Sequence, residues 1–299
     1  NPIAQNPDSQ RTIKAFRKLD FVVVVEQFMT DTAREADIIL PAKSMFEQSD
    51  IIGSYWNPYV QLKQKVIEPP GEVLPETEIY YYLAHKLLIP KDELKKHIPF
   101  PSDEAIESWL DGYLSKYTGL SLELLKKGPV IATGNEYVAF KDMKFKTPSG
   151  KIELLSMQAK KNWGVSELPT CEILKESPSS NGGKYPLFLL SPVTKNRIHS
   201  QFGNLDCITM LDPIQHVTMS TIDARKRNLK AGDKVRVFNN RGEIDIVMRL
   251  DNSLRPGNVV IYNGYWNQEP NGVQGGSPNL LSKGRETDMG HGAAFHDNM

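Results

Sequence analysis

Apolar residues fall along this chain in two rhythms. From Ser9 to Leu19 the spacing is helical, with Ile13, Phe16 and Leu19 on one face. Phe21-Val22-Val23-Val24-Val25 follows as an unbroken β-branched run, which predicts a parallel strand buried on both faces. Thr30-Asp31-Thr32-Ala33 supplies a cap and a short helix through Ala36, and Ile38-Ile39-Leu40, closed by Pro41, predicts a second buried strand. Strand, helix and strand in this order make part of a doubly wound, Rossmann-like sheet over residues 1–55.

The pattern then changes. Residues 56–180 are punctuated by Pro69-Pro70-Gly71 and Pro99-Phe100-Pro101, with helical stretches from Thr77 to Leu88 and from Ser102 to Tyr117. Thr147-Pro148-Ser149-Gly150-Lys151 predicts a tight turn into an alternating strand carrying Ile152 and Leu154. Asn181-Gly182-Gly183 is the best linker candidate, and residues 181–299 beyond it are β-rich. Leu187 to Leu190, Lys234 to Phe238, Ile244 with Ile246, and Val259 to Tyr262 are short strands set between turns at Asn239-Asn240-Arg241-Gly242 and Pro256-Gly257. Strands at this spacing favour a small closed barrel. The stretch from Gly264 to Met299 is rich in Gly and Asn and has little periodicity, the kind of segment a compact domain tolerates where it lines a site.

Composition narrows the function classes. Two hundred and ninety-nine residues suit two or three packed units, and 36 basic against 36 acidic residues remove the basic footprint of a nucleic-acid binder. No apolar run approaches the ~20 residues that span a bilayer. Cys171 and Cys207 lie far apart and outside any CxxC spacing, so the chain cannot by itself ligate an iron–sulfur cluster, and they read as ordinary thiols. His291 and His296 have poor metal spacing. The chain opens at Asn1 without an initiator Met or signal sequence and reads as cut at both ends, so no compartment is assigned.

Polar residues at strand ends carry the candidate chemistry. Glu26, just past the valine strand, and Thr30 could accept and donate hydrogen bonds to a nucleoside. Arg197-Ile198-His199-Ser200 offers several donors, suited to a pyrophosphate or a heteroaromatic ring. Ser200 has no Gly-x-Ser-x-Gly setting and no His or Asp placed to serve it, against a hydrolase nucleophile. Each of these residues also has an ordinary structural reading.

Their order along the chain goes further. Asn1-Pro2 with Pro7-Asp8, the valine strand, Thr30-x-Thr32-Ala33, Ala36-Asp37-Ile38-Ile39-Leu40-Pro41, Glu47 and Glu68-Pro69-Pro70-Gly71-Glu72 resemble the molybdopterin oxidoreductases of the dimethyl sulfoxide reductase family. The resemblance continues through Thr147 to Glu153, Arg197-x-His199-Ser200, Asp223-Ala224-Arg225, Gly232-Asp233-x-Val235, Val237 to Gly242, Pro256-Gly257 and Asn279-Leu280-Leu281.

The resemblance implies the C-terminal half of a catalytic subunit, with a C-terminal six-stranded double-psi-type β-barrel. It implies two molybdopterin guanine dinucleotides holding molybdenum or tungsten, and oxygen-atom or electron transfer. Asn1 and Pro2 would border a phosphate or nucleoside portion, Glu26 and Thr30 would contact guanosine, Arg197, His199 and Ser200 would hold a pterin or its pyrophosphate, and Asn279 would reach a pterin. No residue of this chain matches the family's metal ligand or its 4Fe-4S cysteines, which belong to an N-terminal half. The implied partners are that half, an iron–sulfur electron-transfer subunit and a membrane anchor subunit. Val193 stands where sulfoxide reductases usually have His. The rival reading is a non-catalytic structural homologue, like the large iron–sulfur subunit of respiratory complex I.

Overall fold

The computed structural model describes residues 1–116, 120–131, 138–170, 183–267, 275–287 and 289–292. Cys171, His296, Tyr117 and most of the Asn181-Gly182-Gly183 linker fall outside them.

In chain order the strands are β1 (Val23–Glu26), β2 (Ile38–Pro41), β3 (Asp50–Ile52), β4 (Tyr59–Lys63), β5 (Val130–Ile131), β6 (Phe188–Leu190), β7 (His216–Met219), β8 (Lys234–Phe238), β9 (Glu243–Leu250) and β10 (Asn258–Ile261). The α-helices are α1 (Pro2–Gln5), α2 (Ser9–Phe16), α3 (Glu76–Lys86), α4 (Lys91–His97), α5 (Asp103–Leu114), α6 (Leu122–Lys126), α7 (Met157–Trp163), α8 (Asp206–Leu211) and α9 (Thr221–Arg225). The chain divides into two compact units, one of residues 1–24, 28–38 and 154–299, the other of residues 25–27 and 39–153.

The first unit is built on a mixed five-stranded sheet in the order β6-β10-β7-β9-β8. β6 runs parallel to β10 and β7 parallel to β9, while β10–β7 and β8–β9 are antiparallel. In β9 the alternation puts Ile244, Ile246 and Met248 in the core and Glu243, Asp245 and Arg249 outside. Leu189, Val217, Met219, Val259, Ile261 and Leu281 complete that core. Each such side chain contributes roughly 1.5–3 kcal/mol by leaving water.

The family-like motifs are largely the joints of this unit. Asn239 accepts from the Arg241 and Gly242 amides at 2.9 and 3.3 Å, closing the β8–β9 hairpin. Its amide and the Arg241 guanidinium both donate to the Leu281 carbonyl, at 2.7 to 2.9 Å. Asp223 is buried at the start of α9 and accepts from Ser220 Oγ at 2.8 Å and Gly257 N at 2.7 Å. Burial alone would raise its pKa, but these donors and the Arg227 and Lys226 charges outweigh it and hold the carboxyl below its ordinary value.

The second unit carries the antiparallel sheet β3-β4-β5. Leu114, Leu120, Leu122 and Leu125 form its core against Ile51, Val60, Leu62 and Val130. Ser102 and Ser121 cap α5 and α6, accepting from Ala105 N and Leu124 N.

Three sequence expectations need correction. Among the described residues β1 and β2 form a two-stranded sheet, in parallel, as Ile38 N to Val22 O and Ala42 N to Glu26 O show. The run from Phe21 to Val25 is therefore not buried on both faces: Phe21 is 60% and Val23 44% exposed, because a two-stranded sheet has no neighbours to cover them. Ile38 is exposed for the same reason. Ile152 and Leu154 are exposed and form no strand, although the turn before them closes with Gly150 N on Thr147 O. Alternation without a neighbouring strand gives the backbone nothing to pair with.

Candidate functional site

Within the first unit, a cavity of about 800 Å³ opens beside the loop that follows β6. His199, Ser200 and Asn279 line it together with Ser191, Asn263 and Gln5. Three of the residues singled out from sequence thus share one cavity.

The loop is held by its surroundings. Gln201 N donates to Ile198 O at 2.9 Å, a tight turn with His199 at a central position and φ of +51°. A left-handed conformation is uncommon for a residue with a Cβ and persists where the surroundings enforce it. Trp266 Nε1 donates to Ser200 O at 2.7 Å. Gly264, at φ +96°, passes so close that a Cβ there would lie 2.5 Å from His199 O. Only glycine lets the two backbones approach this far.

Arg197 is 3% exposed and does not line the cavity. Its guanidinium stacks 3.8 Å from the Tyr265 ring centre and donates to Gly264 O at 3.3 Å. It braces the loop against the segment after β10.

Asn279 donates through Nδ2 to Ala4 O and Gln5 O, both at 3.0 Å, and Ser277 Oγ donates to Ala4 O at 2.7 Å. These bonds tie the chain start to the 275–287 stretch and place α1 on the cavity wall. Asn1 Oδ1 accepts from Thr32 Oγ1 at 3.0 Å, while its Nδ2 is buried without a partner among the described residues. Pro2 occupies the first turn of α1, where its missing N–H costs nothing. Thr30 is buried and accepts from Ala33 N through Oγ1. Glu26, in the other unit, is half-buried and accepts from Gln27 N at 2.8 Å.

The donor set in the cavity suits a polar ring. The His199 ring and the Ser200 hydroxyl make no hydrogen bond to another described residue. Asn263, which sequence reasoning passed over, donates through Nδ2 to Ser191 O at 3.3 Å, whereas its Oδ1 is buried without a partner among the described residues. Buried polar atoms rarely remain unpaired in a finished site. A heteroaromatic ligand with amide and amine edges matches such a mixture of donors and acceptors.

A family model described as Molybdopterin oxidoreductase matches residues 1–86, and one described as Molydopterin dinucleotide binding domain matches residues 187–299. Over 99% of its length the chain is 29% identical to the dimethyl sulfoxide reductase DmsA of Escherichia coli, covering 40% of that protein. The chain belongs to the molybdopterin oxidoreductase family. The probable oxidoreductase YoaE of Bacillus subtilis is 32% identical over 99% of this chain and 42% of its own length. The chain therefore spans about two fifths of the curated relatives it matches. In fold it is similar to acetylene hydratase from Pelobacter acetylenicus, with a TM-score of 0.71 at 24% identity over 87% of this chain and 35% of that one. The dinucleotide-binding match covers His199, Ser200, Asn263 and Asn279, and it supports a molybdopterin as the cofactor.

Proposed function

We propose that this chain is the cofactor-holding C-terminal part of a dimethyl sulfoxide reductase-like oxidoreductase, and that the cavity beside His199 takes the pterin end of a molybdopterin guanine dinucleotide. The observation that carries this is that the His199 ring, the Ser200 hydroxyl and the buried Asn263 Oδ1, on residues lining one cavity, have no hydrogen-bond partner among the described residues. In this reading His199 and Ser200 bind the pterin edge, and Asn279 holds α1 against it. Arg197 acts as a positioning residue, keeping the His199 turn in its left-handed conformation. Asn1, Pro2, Thr30 and Glu26 border the nucleotide portions.

The five strands of the first unit are then the larger part of a six-stranded double-psi-type barrel, and residues 1–55, 56–180 and 181–299 are three segments of a longer subunit. When bound, two such dinucleotides with molybdenum or tungsten supply the redox centre for oxygen-atom or electron transfer. This chain binds, orients and shields that group from water. The N-terminal part, carrying the 4Fe-4S cluster, an iron–sulfur subunit and a membrane anchor complete the proposed assembly. A structural, cofactor-free role is disfavoured because it leaves the buried Asn263 Oδ1 with no partner among the described residues.

The test is acid release. Protein purified from cells fully supplied with cofactor should yield oxidised pterin and guanine nucleotide on denaturation, and the Ser200→Ala and His199→Ala variants should yield several-fold less. Absence of both compounds from the parent protein overturns the reading in favour of the structural homologue.

A further inference from the structure

The loop from Ser191 to Ser200 lines two cavities. Its ends face the one described above, while Thr194, Lys195 and Asn196 line a second, of about 240 Å³, in the same unit. The sheet supplies another wall. Thr218 in β7 stands opposite Arg249 in β9, and His216 lies two residues before Thr218, so the three share the face turned away from Val217 and Met219.

Two observations mark this cavity as a binding site. First, the Lys195, His216 and Arg249 side chains, from a loop and two strands, make no hydrogen bond or ion pair with another described residue. The nearest carboxylate in the lining, Asp212, already accepts from the Tyr265 hydroxyl. Arg249 does reach Asp251 electrostatically, but that carboxylate is bonded to Ser253. Second, Thr194 is only 8% exposed, and its Oγ1 has no hydrogen-bond partner among the described residues. A buried hydroxyl with no partner among the described residues, beside cations that no described carboxylate pairs by hydrogen bond, leaves the lining short of acceptors.

We propose that this second cavity binds a phosphate-class oxyanion. Lys195 and Arg249 outnumber Asp212, so the lining carries net positive charge even with His216 neutral. Donors on several walls suit a tetrahedral anion whose oxygens point in different directions, and a guanidinium fork matches two of them at once. The cavity has room for a phosphate and for a small group esterified to it. The proposal stands apart from the cofactor reading, because no side chain of the second cavity lines the first.

The experiment is calorimetric titration of the full chain at low ionic strength, with inorganic phosphate in one arm and glycerol 3-phosphate in the other. Sodium chloride at matched ionic strength serves as the blank. Saturable binding in either arm, weakened about tenfold or more by Arg249→Gln and by Lys195→Gln, supports the site. The tighter arm tells free phosphate from a phosphate ester. Thr194→Val should weaken binding less, and His199→Ala should leave it unchanged. Arg249 and Lys195 are exposed, so these variants should keep the parent's circular dichroism. If Arg249→Gln nevertheless unfolds, Lys195→Gln on the loop still tests the site. The proposal is overturned by non-saturable heats in both arms, by equal affinity in parent and lysine and arginine variants, or by loss of binding in His199→Ala alone.

Discussion

Replacing Gly264 by alanine tests whether the turn carrying His199 is held by close backbone approach. Two costs add at this position. A residue with a Cβ at φ +96° sits in a sparsely populated region, worth about 1–3 kcal/mol. The new methyl would also lie 2.5 Å from His199 O and 3.4 Å from Arg197 Cβ, and overpacking of this kind costs a further ~1–3 kcal/mol. Gly232→Ala separates the two, since Gly232 has φ +90° but no heavy atom within 4 Å of its virtual Cβ. Both glycines belong to the unit built on β9, so exchange of the buried Ile246 and Met248 amides reports on both variants. Gly232→Ala should show the backbone cost alone. Gly264→Ala should exchange roughly five- to 140-fold faster again, the equivalent of the extra ~1–3 kcal/mol. If the loop yields locally, the Gln201 amide, bonded to Ile198 O, should lose protection first. Equal exchange in the two variants, at β9 and at Gln201 alike, would show that the approach of Gly264 to His199 constrains nothing.

Two further outcomes follow from the same geometry. Asp223→Asn keeps the shape but removes the charge that Ser220 and Gly257 donate to, and should cost about 1.5–3 kcal/mol in urea unfolding. The folded-state pKa of Asp223 lies below the unfolded value of about 3.9. Its stabilisation is therefore complete above that unfolded value and is lost as pH falls through the folded one. The asparagine variant should show a shallower loss of stability with acid, and an unchanged acid slope would refute the assignment. The Val23 to Val25 amides, in a two-stranded sheet where Val23 is exposed and Val24 and Val25 are half-buried, should exchange far faster than those of β9. Matching protection would mean that β1 has neighbours beyond β2.

Much of the secondary structure was legible. The helices over Ser9–Phe16, Glu76–Lys86 and Asp103–Leu114, and the β8–β9 hairpin with its Asn-Asn-Arg-Gly turn, carry their periodicity and caps in the local sequence. β7 escaped notice because His216 and Thr218 interrupt what is a core strand by way of Val217 and Met219 alone. The valine run predicts more burial than this chain shows, for the opposite reason. Composition records what a strand could bury, not whether other strands lie beside it, and among the described residues β1 has β2 alone. The cavity wall was half legible: His199, Ser200 and Asn279 stand in recognisable motifs, whereas Asn263 sits between Tyr262 and Gly264 with no local signal of its own.

What sequence cannot separate is a motif residue consumed by the fold from one left with capacity to spare. Asn239, Arg241 and Asp223 spend their hydrogen bonds on the hairpin, the Leu281 carbonyl and the turn at Gly257. Asn279 does the same on Ala4 and Gln5, yet it also lines the cavity. Arg197 has the charge expected of a pyrophosphate ligand, and its guanidinium carbon sits 3.8 Å from the Tyr265 ring centre while Nη1 donates to Gly264 O. His199 and Ser200, two and three residues on, make no side-chain hydrogen bond to another described residue. Within one short motif, the arginine is engaged with Tyr265 and Gly264, whereas the histidine and serine side chains make no hydrogen bond to another described residue.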